Sequence, residues 1–322
     1  MRPYARRTAA GTTGTMSELF VDRLLDAIDR KGAPICVGLD PMLDRLPAEL
    51  RPKDFRDLDR CVDAITEFCS GALRAVAPVA PVVKLQSAYF EQFLWQGVEA
   101  YYELVAEAKE LGLLVIGDVK RGDIGSTSEA YAAAHLGQIE FHDLTDAATP
   151  DAITINPFLG LDAIEPFVQA ARDEGKGLFV LVRTSNPGSR DLQDLKLDTG
   201  ETLSEHLADA LQPLAALLSG DSGYSNLGAV VGATQAHTMQ SLRGRMPQSI
   251  FLLPGYGTQG ATAEMTRAAF DAHGRGAIVS ASRSVLYPPH NEGMPWQAAI
   301  AEAARKMAEE VRAVARKSDP AV

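Results

Sequence analysis

The chain has 322 residues, 46% of them hydrophobic, and a formal net charge of −11. This composition is ample for one sizeable core, and the negative charge argues against a general nucleic-acid binder or a membrane-surface binder. No apolar run in the sequence is long enough to cross a membrane. An anionic substrate would therefore have to be held by local lysines and arginines, or by backbone amides at helix N-termini.

The first residues and the cysteines bear on domain limits and location. Residues 1–15 are basic, contain no acid and lack the apolar stretch of a secretory signal. We predict a disordered tail there, with a transit peptide as the alternative, and a single domain over residues 16–322. The three cysteines, Cys36, Cys61 and Cys69, form no paired motif and are predicted to be buried and reduced, as in a cytoplasmic protein. The six histidines show no metal-binding spacing, so we predict no metal site.

Apolar segments alternate with helical patterns along the rest of the chain. The predicted strands cover residues 34–40, 81–85, 113–118, 152–156, 177–183, 227–232, 250–254 and 277–281. The predicted helices cover residues 17–30, 58–76, 89–111, 126–141, 160–174, 202–218, 235–244, 261–272 and 296–316. The strands are apolar throughout rather than at alternate positions, which is typical of a sheet buried on both faces. We therefore predict an α/β fold, a (β/α)8 TIM barrel, with an open doubly wound sheet as the alternative.

The segment at residues 117–127 reads Gly-Asp-Val-Lys-Arg-Gly-Asp-Ile-Gly-Ser-Thr and joins the third predicted strand to a helix. Parallel α/β folds place their chemistry at this end of the strands. Because side chains alternate along a strand, Asp118 and Lys120 are predicted to point the same way, while Asp123 lies beyond the strand in a glycine turn. The first two could act as a base and an acid, or as a tuned proton donor; a surface salt bridge is the alternative.

Polar residues also mark the first two predicted strands. Asp40 ends the first strand, and Lys84 lies within the second, directly after a Pro-Val-Val run. An unpaired ammonium is costly inside a buried strand, so Lys84 must find an acid, and Asp118 on the next strand is placed to supply it. A structural ion pair that caps the barrel core is the alternative.

Two late segments are typical of an anion site. Residues 254–260, which begin at Pro254, read Pro-Gly-Tyr-Gly-Thr-Gln-Gly and form a glycine-rich turn where bare amides can approach a phosphate. Arg283 follows the eighth predicted strand and offers a guanidinium. Barrels often bind phosphate at the loops after strands seven and eight, so we predict a phosphate site here. A tight loop beside a solvated arginine is the alternative.

The pattern Asp-x-Lys-x-x-Asp-Ile-x-x-Thr at residues 118–127 resembles the signature of the orotidine 5′-phosphate decarboxylases, in their longer bacterial branch. The resemblance extends over about residues 30–290 through the strand ends described above. It implies a homodimeric enzyme that converts orotidine 5′-monophosphate to uridine 5′-monophosphate and CO2, the last step of pyrimidine synthesis. It implies no cofactor, and we expect no nucleic-acid or membrane partner.

The resemblance also implies roles for individual residues of this chain. Lys120 is implied to stabilise and then protonate a carbanion at C6 of the pyrimidine, beside Asp118 and Lys84 in a central charged array. Three residues are implied to cross a dimer interface into the partner's site: Asp123, Ile124 and Thr127. The other substrate contacts are implied for Asp40 at the ribose, Ser185 at the pyrimidine, and Gln259 and Arg283 at the phosphate. Pro254, at the start of the glycine-rich turn, is also predicted to bind substrate.

Two other functions stay open. Asp118 and Asp123 could instead bind Mg2+, as in the related keto-sugar-phosphate decarboxylases, which stabilise an enediolate on a metal. The barrel could also be a phosphate-ligand-binding scaffold without catalysis. The chain is longer than compact family members over residues 187–226, and residues 187–200 could be either a mobile active-site loop or a plain surface insertion.

Overall fold

The computed structural model describes residues 18–139, 141, 147–233, 236–257, 260–289 and 293–316. The strands are β1 (Ile35–Leu39), β2 (Val82–Gln86), β3 (Leu114–Arg121), β4 (Ala152–Ile155), β5 (Gly177–Arg183), β6 (Ser225–Val231), β7 (Ser249–Pro254) and β8 (Ala277–Ala281). These eight parallel strands close into a barrel in chain order, and β1 pairs with β8 to complete the ring. The closed ring confirms the predicted barrel and excludes the open doubly wound sheet.

Helices lie between the strands and cover the outside of the barrel. The α-helices are α1 (Phe20–Lys31), α2 (Leu58–Val76), α3 (Ala88–Glu91), α4 (Leu94–Glu110), α5 (Gly125–Leu136), α6 (Glu165–Glu174), α7 (Leu203–Ala210), α8 (Gln212–Leu217), α9 (Ala236–Arg245), α10 (Arg283–Leu286) and α11 (Trp296–Arg316). Short 3-10 helices cover Leu43–Arg45, Pro187–Asp191 and Glu264–Ala269. Local chemistry fixes several starts: the Asp57 side chain accepts the Arg60 N–H at α2, and Thr202 and Glu205 form a capping box at α7.

Three predicted helices differ in continuity or type, and two others are longer than observed, since α5 ends at Leu136 and α6 begins at Glu165. The helix predicted over residues 89–111 divides into α3 and α4, because Leu94 takes a left-handed backbone with φ of 56°. The helix predicted before β6 divides into α7 and α8, where Pro213 occupies the first turn of the second helix. After β7 the α-helix predicted over residues 261–272 is a 3-10 helix at Glu264–Ala269.

One end of the barrel is closed by α1. Phe20 packs edge-on against Phe179 of β5, with ring centroids 6.1 Å apart, and Leu24 joins the same buried cluster. The Val21 N–H donates to Asn226 Oδ1 at 2.8 Å, near the start of β6. Because α1 seals the N-terminal ends of the strands, a ligand site is left to the opposite end. Within the described ranges, no helix is both long and apolar enough to cross a membrane.

The predictions for the tail and the cysteines have different outcomes. The predicted tail at residues 1–15 lies outside the described residues, and the proposed domain limits stay predictions. Cys36, Cys61 and Cys69 are free and buried, as predicted. Burial raises the pKa of the Cys36 thiol to about 12, so it is a packing group rather than a nucleophile.

Candidate active site

Four charged side chains meet at the carboxyl ends of three neighbouring strands. Asp40 directly follows β1, Lys84 lies on β2, and Asp118 and Lys120 lie on β3. Lys84 Nζ lies 2.7 Å from Asp118 Oδ2 and 3.9 Å from Asp40 Oδ1. Lys120 Nζ lies 2.5 Å from Asp118 Oδ1. These four residues, called the charged array below, alternate in sign, and their formal charges cancel.

Asp118 is the centre of the charged array. Besides the two ammonium groups, Gln86 Nε2 donates to Asp118 Oδ2 at 3.0 Å, and the Thr154 hydroxyl donates to Oδ1 at 2.9 Å. Burial opposes ionisation of Asp118, but Lys84 and Lys120 outweigh it and hold the pKa of this carboxyl well below its usual range. Asp118 is therefore a carboxylate at neutral pH, and both of its oxygens have donors.

The two lysines of the charged array differ in their access to a ligand. The Lys84 side chain is only 9% exposed, whereas that of Lys120 is 45% exposed. Burial by itself lowers the pKa of Lys84, but the Asp118 and Asp40 carboxylates outweigh it, and the pKa lies above its ordinary value. Lys84 is thus a fixed cation within the wall, while Lys120 reaches into open space.

That open space is a cavity of about 940 Å³ at the carboxyl ends of the strands. Its volume is within the range of small-molecule sites. The buried Asp40 Oδ1 has no hydrogen-bond partner among the residues that the structure describes and lies 3.9 Å from Lys84 Nζ. Six of the predicted site residues line this one cavity: Asp40, Lys84, Asp118, Lys120, Ser185 and Pro254.

The loop after β5 is part of the cavity wall. Arg183, at the end of β5, is buried, and its Nε and Nη2 donate to the two Asp194 carboxylate oxygens at 2.7 and 3.0 Å. Its Nη1 donates to the Ser189 hydroxyl inside the loop. Ser185 and Ser189 both line the cavity. The segment at residues 187–200 is therefore not a plain surface insertion, because its first part forms the wall and is held by the ion pair between Arg183 and Asp194.

The predicted phosphate site is only partly described. Gly255 and Gly257 have φ angles of 110° and 75°, which favour glycine. A Cβ on Gly257 would lie 2.9 Å from Ser284 Oγ, so the turn after β7 packs directly on the segment after β8. Arg283 is exposed, has no partner within the described ranges, and is not among the residues that line the cavity. Gln259 lies outside the described residues.

The residues predicted to reach a partner subunit lie outside the cavity of their own chain. Asp123 Oδ1 accepts the Ile124 N–H at 2.8 Å, directly before α5. Ile124 is 59% exposed, and Thr127 is exposed as well. Exposed apolar side chains also follow the neighbouring strands: Trp95 after β2 and Phe158 after β4 are each 72% exposed.

Gln86 and Thr154 belong to the site but are not among the predicted residues. Gln86 lies two positions after Lys84 on β2, so the alternation of side chains along a strand was a usable signal for it. Thr154 lies within an Ala-Ile-Thr-Ile strand, where threonine is an ordinary strand residue. No local pattern distinguishes Thr154 from a packing residue.

The comparison with known proteins decides the family. A sequence model of the orotidine 5′-phosphate decarboxylase / HUMPS family matches residues 33–292, which span all eight strands. The chain belongs to this family. Within it, the orotidine 5′-phosphate decarboxylase of Rhodopirellula baltica is 42% identical over 301 residues, which cover 91% of this chain and 99% of that protein.

Solved structures agree with this assignment. A crystallised Streptomyces avermitilis protein is 34% identical with a TM-score of 0.77, covering 95% of this chain and 99% of that one. The Leishmania donovani OMP decarboxylase is 29% identical with a TM-score of 0.69, covering 92% and 99%. The predicted family and the predicted enzyme class, a decarboxylase, are thereby confirmed. The longer bacterial branch and the cytoplasmic location stay predictions.

Proposed function

We propose that the protein converts orotidine 5′-monophosphate to uridine 5′-monophosphate and CO2 without a cofactor, as the last step of pyrimidine synthesis. The observation that carries this proposal is a buried carboxylate, Asp118, held between two ammonium groups beside a cavity of suitable size. Loss of CO2 from C6 leaves a carbanion with poor electronic relief. A cation fixed in advance is therefore the central requirement of the reaction, and the charged array supplies it.

Within the charged array, Lys120 is the proposed proton donor. Its side chain is 45% exposed, and its ammonium is oriented by Asp118 Oδ1 at 2.5 Å. As the C6–CO2 bond breaks, the ammonium stabilises the electron pair left on C6 and then transfers a proton to it. The resulting neutral amine regains a proton from solvent after product release. Asp118 also faces the substrate carboxylate in this arrangement, and the like charges favour its departure.

The rest of the substrate is proposed to be held away from C6. The Asp40 side chain, 20% exposed at the cavity beside Lys84, suits a ribose hydroxyl, and Ser185 of the same cavity suits the pyrimidine edge. The phosphate is assigned to the turn after β7, with Gln259, and to the exposed Arg283. Binding energy from a phosphate far from the reacting carbon aligns the ring against Lys120.

We further propose that two copies of the chain share their sites. Asp123 lies outside the cavity of its own chain, and the exposed apolar side chains of Ile124 and Trp95 would be covered by a partner subunit. Mixing the Lys120→Ala and Asp123→Ala proteins should then restore part of the activity, because each hybrid dimer has one site with neither defect. The absence of recovery, with subunit exchange verified by mass spectrometry, would contradict site sharing.

A metal-dependent reaction on a keto-sugar phosphate is the competing proposal. Both oxygens of Asp118 accept from ammonium groups, at 2.7 and 2.5 Å, and the formal charges of the array cancel. A divalent cation at this carboxylate would have to displace two cations that are already in contact with it. The donor set therefore supports the metal-free reaction.

The direct test is turnover of orotidine 5′-monophosphate by the purified full chain in excess EDTA, followed by the loss of orotate absorbance. We expect rapid turnover. A folded protein that is inactive in this assay, but decarboxylates a keto-sugar phosphate once Mg2+ is added, would refute the proposal in favour of the metal-dependent one.

A further inference from the structure

The pairing of β3 with β4 is irregular at the active site. Ile116 pairs with Ala152 and Gly117 with Ile153, but the next pair is Arg121 with Ile155. Between these pairs β3 has three residues and β4 has one, which is Thr154. Lys120 lies in this bulge and takes a left-handed backbone, with φ of 45°, which is uncommon for a residue other than glycine.

The Thr154 hydroxyl fills the gap that the bulge leaves in the ladder. The Lys120 backbone N–H donates to Thr154 Oγ1 at 3.0 Å, and the same hydroxyl donates its proton to Asp118 Oδ1 at 2.9 Å. Thr154 is 1% exposed, so water does not compete for these bonds. One hydroxyl therefore accepts from the backbone of Lys120 and donates to the carboxylate that holds its ammonium.

These contacts close a ring through both ends of Lys120. The backbone end is bonded to Thr154, the side-chain end lies 2.5 Å from Asp118 Oδ1, and Thr154 joins the two. We propose that Thr154 is a positioning residue that sets the direction of the Lys120 ammonium by holding its left-handed backbone and its carboxylate partner in one geometry. This proposal rests on the function proposed above, with Lys120 as proton donor.

Loss of the hydroxyl should affect the chemical step rather than substrate binding. Without it the Lys120 N–H loses its acceptor, and the bulge loses the bond that stabilises its strained conformation. Asp118 keeps its contacts to Lys84 and Gln86, so the charges of the array are retained. The proposed contacts to ribose, pyrimidine and phosphate do not involve Thr154.

The experiment compares Thr154→Val, which keeps the shape and removes the hydroxyl, with Thr154→Ser, which keeps the hydroxyl. Thr266→Val is the matched control, because Thr266 is also fully buried and its hydroxyl donates to a backbone carbonyl outside the array. We expect kcat of the valine variant to fall about 10- to 100-fold with little change in KM, since misplacing a reacting group by about 1 Å costs on this order. The serine variant and the control should keep most of the wild-type kcat. A valine variant with wild-type kcat, or a KM that rises as much as kcat falls, would overturn the proposal, and so would a serine variant as slow as the valine one.

A crystal structure of Thr154→Val separates this inference from the proposed function. We expect the Lys120 backbone to leave the left-handed region, or its ammonium to move away from Asp118, while Thr154→Ser keeps both. An unchanged Lys120 in the valine variant would refute the positioning role whatever the enzyme's substrate proves to be. If the wild type does not turn over orotidine 5′-monophosphate but Lys120 is displaced in Thr154→Val as expected, only the proposed function is refuted. Thr154→Ala serves for the same comparisons if the valine variant does not fold.

Discussion

Replacing Asp118 with asparagine removes the central anion of the charged array while nearly preserving the shape of the side chain. The ammonium groups of Lys84 and Lys120 lie 2.7 and 2.5 Å from the two carboxylate oxygens. In the variant each ammonium would face a polar atom of a neutral amide instead. The other acid of the array, Asp40, is 3.9 Å from Lys84 and is too far for a close ion pair of the same strength. The variant should therefore be destabilised as well as inactive.

The magnitude follows from how each lysine can respond. Removal of one partner from a buried ion pair typically costs about 3–5 kcal/mol, because a charge is left buried and uncompensated. Lys84, 9% exposed, can gain little hydration, whereas Lys120, 45% exposed, can rehydrate. We therefore expect the lower end of that range, about 3 kcal/mol. At about 2–4 °C per kcal/mol for a large domain, the Tm should fall by roughly 6–12 °C.

The free energy of unfolding of the two proteins should depend on pH in different ways. In the wild type the pKa of Lys84 is raised in the folded state. Lys84 therefore contributes its full amount to the free energy of unfolding below the pKa of about 10.4 that it has in the unfolded chain. That contribution is lost only as pH rises through the pKa of the folded state. In Asp118→Asn burial should dominate and lower the pKa of Lys84. The unfolded variant would then bind more protons than the folded one, so its stability should rise with pH. The difference in the free energy of unfolding between the two proteins should therefore narrow as pH rises toward the unfolded Lys pKa of about 10.4.

The assay is urea-induced unfolding of both proteins from neutral to alkaline pH, with the free energy of unfolding extrapolated to water. Asp198→Asn is the control, because Asp198 is exposed and the substitution makes the same change in net charge. A wild-type free energy of unfolding for Asp118→Asn would refute the idea that Asp118 compensates the buried ammonium of Lys84. A stability gap independent of pH would show that Lys84 is not the group left uncompensated.

Two further predictions concern substrate binding. Arg283→Ala should raise KM about 10- to 100-fold, because a charge-assisted hydrogen bond to phosphate is worth about 1.5–3 kcal/mol. Its Tm should not fall, because the guanidinium is exposed. A KM no higher than that of the control Arg60→Ala, which also removes an exposed arginine, would rule out a phosphate contact. Arg183→Met should raise KM and open the loop after β5 to limited proteolysis, because it removes the bidentate bond to Asp194 that holds the wall carrying Ser185. Wild-type cleavage of that loop would show that the ion pair does not hold it.

The barrel and the centre of the site follow from simple properties of the sequence. Runs of apolar residues long enough for a strand predict strands buried on both faces, and β5 and β8 lie within the bounds predicted for them. Lys84 was predicted to pair with Asp118 because a buried ammonium needs a carboxylate, and the two lie 2.7 Å apart. Pairings that are dictated by the cost of a buried charge are thus readable from a single chain.

Features that depend on two strands at once could not be predicted in this way. The alternation of side chains along a strand predicts that Asp118 and Lys120 point the same way, and their side chains are in contact. The strand is not regular there, however, because Lys120 lies in a bulge and has a left-handed backbone. That bulge is defined by the register of β3 against β4, and Thr154 has its role only because it lies opposite. The break at Leu94 is likewise a backbone conformation that an amphipathic pattern does not reveal.

The central claim is that Lys120 provides the cation and the proton for a metal-free decarboxylation. The most direct measurement is the amount of CO2 and of uridine 5′-monophosphate formed from orotidine 5′-monophosphate in excess EDTA by the wild type, Lys120→Ala, and Lys53→Met, an exposed-lysine control. We predict equal amounts of both products from the wild type and the control, and a kcat at least about 1,000-fold lower for folded Lys120→Ala. Turnover by Lys120→Ala near the wild-type rate would contradict the account.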